Sequence, residues 1–252
     1  MRTAIHPTDQ AAGLRRLFAD QQRRCLVPVA ANLELDDSPY WLEALARAFA
    51  NLGARVLVVD AGELAPTPSE LIDIDLATCM VPVHPGVVYL AARGAARRHV
   101  DARGSSAGWL AQVQDAAPWA DCVLLHASAR ELARLLPEGQ GGAAVVPVVL
   151  AGHDAESLTE AYAAMKQLQQ RCGCVVFDAV IGAASPAPRR ARQVIERLGS
   201  CADSFLSAVL RHSAQLDTRD AAAMPAALTE LATLHLAPTV LDVHESAFAP
   251  FC

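Results

Sequence analysis

The sequence predicts a doubly wound α/β fold, in which a mainly parallel sheet carries helices on both faces. Two patterns alternate along the 252 residues: short apolar runs rich in β-branched residues, and longer stretches with apolar residues three and four positions apart. Runs that are apolar on both faces suit parallel strands that helices cover. The composition is 53% hydrophobic and 19% charged, which provides for a buried core and argues against disorder. One α/β domain is therefore expected.

The predicted strands and helices follow the order that an α/β sheet requires. Each predicted strand ends in small or turn-forming residues, and the six runs are 25–30, 55–61, 86–92, 122–127, 143–152 and 174–182. The main predicted helices are 39–52, 157–172 and 189–199. The first of these helices carries an apolar stripe and ends at Gly53, and the stripe consists of Leu42, Leu45, Phe49 and Leu52.

Both ends of the chain depart from this pattern. Residues 8–24 predict a separate amphipathic helix, with Thr8 as its cap and Asp9 in its first turn. The apolar side of this helix carries Ala11, Leu14, Leu17 and Phe18. Pro225 opens a short predicted helix, which a polar tail to Cys252 follows. The chain thus divides into residues 1–24, an α/β domain over 25–215, and a C-terminal helix and tail over 216–252.

Charge and cysteine content narrow the classes of function. The formal charge of −6 gives no general reason to expect nucleic-acid binding. No apolar run approaches the roughly 20 residues needed to cross a bilayer, and no secretory signal is visible at the N-terminus. The seven cysteines are scattered, and the closest pair, Cys172 and Cys174, has C-x-C spacing, so neither a zinc site nor a redox site is expected. A reduced cytoplasmic protein is the expectation.

The order of motifs resembles the MinD/ParA class of P-loop ATPases, and within it the flagellar number regulators FlhG (FleN). That subfamily carries an N-terminal D-Q-A-x-x-L-R helix, which this chain matches at Asp9, Gln10, Ala11, Leu14 and Arg15. The stretch "AGHDAESLTEAYAAMKQL", 151–168, resembles the family's strand-end loop and following helix. The resemblance covers roughly residues 8–215 and implies a P-loop NTPase-like sheet.

The phosphate-binding loop of this family is degenerate here. The family's S-G-K-G-G-V-G-K-T falls on "ANLELDDSP", 31–39, so Leu33 stands at the signature lysine and Ser38 and Pro39 at the P-loop lysine and threonine. The loop's glycines are lost, and its three carboxylates are Glu34, Asp36 and Asp37. Two unit charges about 4 Å apart repel by roughly 4 kcal/mol at a surface-like dielectric. Residues 37–39 instead predict a capped helix start with proline at its first position.

Three further departures from the family pattern agree with a lost ATP site. The family's D-A-D is Asp60-Ala61-Gly62 here, its metal-side aspartate corresponds to His126, and its adenine-reading asparagine falls on Asp178. Aspartate only accepts hydrogen bonds, whereas an amide also donates them. The resemblance therefore implies a pseudo-ATPase with no catalytic residue, no nucleotide cofactor and no metal. Asp60, His126 and Asp178, at predicted strand ends, are candidates for a residual site, and His153 is interpreted as a polar loop residue.

The resemblance also implies a partner. In the family the N-terminal helix docks on the signal-recognition-type flagellar GTPase FlhF and stimulates GTP hydrolysis. Gln10 would then orient the attacking water, Leu14 and Phe18 would anchor the helix, and Asp9 and Arg15 would make polar contacts. The alternative is a helix that packs on its own sheet with Gln10 exposed. Other flagellar assembly proteins are further candidate partners, and partners would recruit the protein to the cell pole or flagellar base.

Two other interpretations stay open: a MinD/ParA-like binding module of another polar-localisation or secretion system, and a weak ATPase with an unconventional loop. The tail 236–252 has no lysine or arginine and predicts at most weak membrane contact. A monomer or a nucleotide-independent dimer is expected. A basic run lies in residues 93–103 and consists of Arg93, Arg97, Arg98 and Arg103. We interpret it as a solvated surface rather than as a binding site for an acidic partner or for lipid headgroups.

Overall fold

The computed structural model describes residues 24–35, 38–136, 145–183, 188–217 and 225–237. These residues form one eight-stranded sheet with helices on both faces. The strands are β1 (Cys25–Ala30), β2 (Val56–Asp60), β3 (Val81–His84), β4 (Val87–Ala91), β5 (Cys122–Ala127), β6 (Val148–Ala151), β7 (Val176–Ala183) and β8 (Val209–Asp217). The helices are α1 (Ser38–Asn51), α2 (Ala95–Arg98), α3 (Ala107–Ala116), α4 (Ala129–Leu135), α5 (Ala155–Cys172), α6 (Pro188–Leu206) and α7 (Ala226–Leu236). Two short 3-10 helices, Glu70–Asp73 and Ala77–Cys79, connect β2 to β3.

The sheet has the strand order β3-β4-β2-β5-β1-β6-β7-β8. Every neighbouring pair is parallel except β3 and β4, which are antiparallel. The chain leaves β1 toward β2 on one side and later returns to place β6 on the other side. Such a reversal creates a crevice at the carboxyl ends of the strands, where open α/β sheets bind ligands.

The core consists of two apolar layers, one on each face of the sheet. One layer joins the sheet to α1 and α7, and it includes Leu42, Leu45, Phe49, Leu228 and Leu231. The other joins the sheet to α2–α6, and it includes Trp109, Leu132, Leu135, Met165 and Leu198. Since α7 packs in the same layer as α1, the described C-terminal helix belongs to the body of the sheet. None of the described helices is long and apolar enough to cross a membrane.

The predicted fold class is confirmed, and all six predicted strands are present. The stripe of α1 is buried at Leu42, Leu45 and Phe49, but Leu52 was wrongly included, because α1 ends at Asn51 and Leu52 is 41% exposed. Gly53 follows with a φ of +87°, a backbone angle that favours glycine. The predicted helix 189–199 continues to Leu206. The helix predicted over 8–24 lies outside the described residues.

Candidate functional site

The loop after β1 is held in place by Asn32, which is buried. The Asn32 side-chain Nδ2 donates to the main-chain oxygens of Leu150 and Ser157, both at 2.8 Å, and lies 3.0 Å from Ser157 Oγ. The Asn32 Oδ1 accepts a hydrogen bond from the main-chain N–H of Glu34 at 3.1 Å. Asn32 therefore ties the loop to β6 and to the first turn of α5.

The main-chain N–H groups of this loop are used largely by the protein itself. Besides Glu34, Leu35 donates to the main-chain oxygen of Asn32 at 3.2 Å, and Ala31 donates to Ala127 at 2.8 Å. The side chain of Leu35 is buried, whereas that of Leu33 is 53% exposed. A phosphate cradle needs several N–H groups that converge on one anion, and these three point to internal acceptors instead.

Helix α1 begins at Ser38, which agrees with the helix start predicted over 37–39. Asp36 and Asp37 lie outside the described residues, and only the backbone of Ser38 and Pro39 is described. In the first turn of α1, Trp41 is 3% exposed and packs against Gly182 of β7. A Cβ added to Gly182 would overlap the Trp41 ring, so only glycine fits there. The indole thus fills the space above the carboxyl end of β7.

Asp60, His126 and Tyr89 form a hydrogen-bonded cluster, in which Asp60 and His126 are buried near the carboxyl ends of β2 and β5, and Tyr89 is half-buried in the middle of β4. Asp60 and His126 are partners in the sheet register, and His126 Nδ1 lies 2.8 Å from Asp60 Oδ1. The Tyr89 hydroxyl donates to Asp60 Oδ2 at 2.7 Å, and the Gly62 N–H donates to Asp60 Oδ1 at 3.1 Å. Both oxygens of the Asp60 carboxylate are therefore engaged by the chain.

The electrostatics keep Asp60 ionised. Burial alone would raise the pKa of Asp60, but the hydrogen bonds from His126, Tyr89 and the Gly62 N–H outweigh it and hold that pKa below its ordinary value. Burial and the charge of Asp60 together raise the pKa of Tyr89, which keeps its hydroxyl a donor. Within the described ranges, no group of three or more His, Cys, Asp or Glu is placed to hold a metal ion.

Asp178 does not share this site, and its expected place at a strand end is wrong. It is the third residue of β7, four residues before Gly182, which corresponds to about 13 Å along a strand. Arg211 Nε and Nη2 lie 3.1 and 2.5 Å from its two oxygens, and His235 Nε2 lies 2.9 Å from Oδ2. Burial opposes ionisation, but His235 and Arg211 lower the pKa of Asp178. The strand assignment was right, whereas the position within the strand was not.

The other sequence candidates have internal partners or lie in loops. Arg97 Nε lies 3.1 Å from Glu131 Oε1, and its Nη2 lies 3.4 Å from Glu63. Both glutamates line a cleft of about 290 Å³ beside the carboxyl end of β2, together with Arg93 and Arg97. Positive and negative charges are thus balanced in this cleft.

His153 lies in the loop after β6. Burial and then the charge of Arg190 lower the pKa of His153, whereas the charge of Asp154 raises it.

The sequence pattern does not indicate the roles of several residues in this region. Asn32 lies within residues 31–39, but the sequence does not identify it as the residue that fixes this loop, because its partners are 118 and 125 residues away. Tyr89 carried a signal, since a hydroxyl in an otherwise apolar strand needs a partner when it is buried. Trp41 and Gly182 gave no such signal, because their contact joins distant parts of the chain.

Comparisons in sequence identify no relative: no protein-family model matches the chain, and no curated protein matches it. Comparison with solved structures identifies the fold. The MinD cell division protein of Aquifex aeolicus is 9% identical with a TM-score of 0.58, over 85% of this chain and 98% of that chain. Cobyrinic acid a,c-diamide synthase from Mycobacterium smegmatis, with bound ADP and magnesium, is 16% identical with a TM-score of 0.59, over 90% of this chain and 100% of that chain.

A third solved structure is the ATP complex of a single-residue variant of Cyanothece McdA, which is 12% identical with a TM-score of 0.56, over 85% of this chain and 97% of that chain. These similarities extend over most of each chain, although the identities are low. The chain therefore has the fold of the MinD/ParA-type P-loop NTPases.

Proposed function

We propose that this chain is a non-catalytic regulator, a pseudo-ATPase of the MinD/ParA type that acts by contact with other proteins. The observation that carries the proposal is the occupation of the strand-end crevice by the chain's own groups. Asn32 directs the loop toward β6 and α5, and Asp60 is satisfied by His126 and Tyr89. These groups therefore already have hydrogen-bond partners within the chain.

The described residues of the loop after β1, 31–35, offer a phosphate no positive charge. Leu33 has no charge to offer a phosphate, and exposed Glu34 would repel one. The N–H groups of Glu34 and Leu35 already have acceptors inside the loop. A triphosphate would have to break these hydrogen bonds, whose loss leaves the buried Oδ1 of Asn32 without its donor, and the described loop residues 31–35 would provide no cation in return.

The metal side of the crevice is also altered. ATP is bound as its magnesium complex, and Mg²⁺ requires oxygen ligands in near-octahedral geometry. His126 stands where the family has its metal-side aspartate, and its imidazole lies 2.8 Å from Asp60. A cation would compete with this imidazole for the same carboxylate oxygen. The pair supports a site in which the protein itself, rather than a metal ion, provides the partners of Asp60.

Nucleotide binding is the direct test of the pseudo-ATPase. We expect no change in the melting temperature with about 1 mM Mg-ATP or Mg-ADP, compared with Mg-GTP and with magnesium alone. A site of about 10 μM affinity would add roughly 2.7 kcal/mol at that concentration, and so raise the melting temperature by several degrees. An ATP-specific rise of that size, or ATP hydrolysis above buffer, would establish the weak ATPase instead.

We further propose that the partner is the GTPase FlhF and that the chain regulates flagellar biosynthesis in the manner of FlhG. The support is the D-Q-A-x-x-L-R match at residues 9–15, which is retained in full although the phosphate loop is not. A glutamine can orient the water that attacks a γ-phosphate, as in other GTPase-activating systems. Under this proposal, Gln10 acts in the partner's site, and the α/β body presents the helix.

The GTP hydrolysis rate of FlhF tests this step. We expect Gln10→Ala, or deletion of residues 1–24, to abolish stimulation by the chain. Gln22→Ala is the matched control, because it changes the same residue type outside the motif, and it should leave the stimulation intact. If the wild-type chain does not change the GTPase rate, the flagellar proposal fails, and a binding module of another polar-localisation or secretion system is the interpretation that remains.

A further inference from the structure

Cys25 and Cys122 lie side by side at the amino ends of the two central strands. Cys25 begins β1, Cys122 begins β5, and the two are direct partners in the register of this parallel pair. Neighbouring strands lie about 4.8 Å apart, which is within the roughly 4.4–6.8 Å usual between the Cα atoms of a disulfide. Cys25 is half-buried, Cys122 is fully buried, and both are reduced in this structure.

Charged groups from three other elements surround this pair. Cys25 Sγ lies 3.2 Å from the main-chain oxygen of His235, in the last turn of α7. His235 Nε2 forms an ion-pair contact of 2.9 Å with Asp178 of β7, which also binds Arg211 of β8. The cluster therefore places an imidazole and a guanidinium beside the half-buried thiol, with Asp178 holding both.

These neighbours divide the two thiols into different chemical roles. The pKa of Cys25 is lowered to about 6, chiefly by a hydrogen bond from the Cys122 thiol. Burial opposes this shift, whereas His235 and Arg211 add to it. The carbonyl oxygen of His235, which accepts a hydrogen bond from the Cys25 thiol, favours the protonated form and acts in the opposite direction. Burial raises the pKa of Cys122 well above its ordinary value, so that Cys122 stays a thiol. A thiolate beside a protonated thiol is the arrangement of an attacking and a resolving cysteine.

We propose that Cys25 and Cys122 form a thiol oxidation site, at which hydrogen peroxide produces a disulfide between β1 and β5. The Cys25 thiolate attacks one peroxide oxygen, the O–O bond breaks, and hydroxide leaves and takes up a proton to become water. Cys25 is then a sulfenic acid. The sulfur of Cys122 attacks the sulfur of Cys25, the S–O bond breaks, and the hydroxyl leaves with the Cys122 proton as a second water.

The balance of this reaction closes without another reactant. Two thiols and one hydrogen peroxide give one disulfide and two waters, each sulfur is oxidised by one electron, and the peroxide accepts two.

The other close pair of cysteines, Cys172 and Cys174, is less suited to this oxidation. The Cys174 thiol lowers the pKa of Cys172 by a hydrogen bond, against burial, but no charged group contributes. The two cysteines also lie on either side of Gly173, the residue that caps α5, and are only two residues apart.

Peptide mapping tests the site in the full chain. The reduced protein is treated with hydrogen peroxide, quenched with an alkylating agent, digested without reductant and analysed by mass spectrometry. We expect a Cys25–Cys122 linked peptide as the first disulfide formed, absent from Cys25→Ser and present in the control Cys201→Ser. Unlinked Cys25 and Cys122 after oxidation, or a first disulfide between other cysteines, would overturn the proposal.

A second measurement needs no variant and so does not depend on the folding of a mutant. The rate of Cys25 alkylation by iodoacetamide is followed against pH in the native protein, by the mass of the Cys25 peptide. We expect a half-maximal rate near pH 6 in the folded chain and at about 8.5 after denaturation, because only the thiolate reacts. A midpoint of about 8.5 in the folded chain would contradict the assignment of Cys25 as the attacking cysteine.

Discussion

Gly62 and His126, which the sequence resemblance aligns with two carboxylates, lie against each other in the structure. A Cβ at position 62 would lie 3.0 Å from the His126 ring and 3.1 Å from Asp60 Oδ1. The ring in turn is fixed by its hydrogen bond to Asp60. The absence of a side chain at position 62 therefore leaves room for the imidazole, which is a hydrogen-bond partner of Asp60.

This fit predicts the effect of a single added methyl group. We expect Gly62→Ala to lower the free energy of unfolding by about 1–3 kcal/mol, because the His126 ring cannot yield without losing its contact with Asp60. Denaturation in urea measures the change.

Gly108→Ala is the matched control, since a Cβ at that position of α3 meets nothing within 4 Å. Alanine should there be neutral or stabilise the helix by up to about 1 kcal/mol. Equal stability of the two variants would show that His126 has room to move.

At the scale of elements, the central strands were predictable because continuous apolar runs mark strands that helices cover on both faces. The two edge strands β3 and β8 were not. All four residues of β3 are exposed, and Pro82 within it is a residue found at sheet edges rather than in central strands. The helix α3 was also missed, although Trp109 and Leu110 are buried, because alanine, glycine and glutamine dilute its apolar stripe.

The candidate site was predictable only where strand ends define it. Asp60 and His126 end neighbouring parallel strands, so the sequence placed them on the same edge, where they form a hydrogen bond. The place of Asp178 was missed because a strand's apolar pattern does not give its register. The Asn32 clamp and the Cys25–Cys122 pair depend on contacts between residues far apart in the chain, which spacing along the sequence cannot show.

At the scale of the whole molecule, the Asp178 cluster joins the C-terminal helix to the sheet. Asp178 in β7 binds Arg211 in β8 and His235 in α7, and none of its surface is exposed. Removing one partner of such a buried ion pair typically costs about 3–5 kcal/mol, because the remaining charges stay buried without compensation. The cluster therefore couples the position of α7 to the charge state of one carboxylate.

This coupling predicts a specific acid dependence of stability. The pKa of Asp178 is lowered in the folded chain, so its contribution is present above the unfolded value of about 3.9 and is lost as the pH falls through the folded value. We expect Asp178→Asn to be much less stable than wild type at about pH 6, and the difference to shrink as the pH falls below about 4.

Stability measurements at higher pH cannot provide this test, because His235 and Cys25 change the free energy of unfolding in opposite directions there. Burial lowers the pKa of His235, but Asp178 and Cys25 raise it more, so its contribution is lost as the pH rises through the folded value. The pKa of Cys25 is lowered to about 6, so its contribution grows above that pH. Denaturant titrations between about pH 3 and 6 therefore measure the contribution of Asp178 to stability most directly. The control is Asp203→Asn, which lies at an exposed position of α6 and should follow wild type. A difference between Asp178→Asn and wild type that is constant over this range would show that the carboxylate charge does not hold α7 on the sheet.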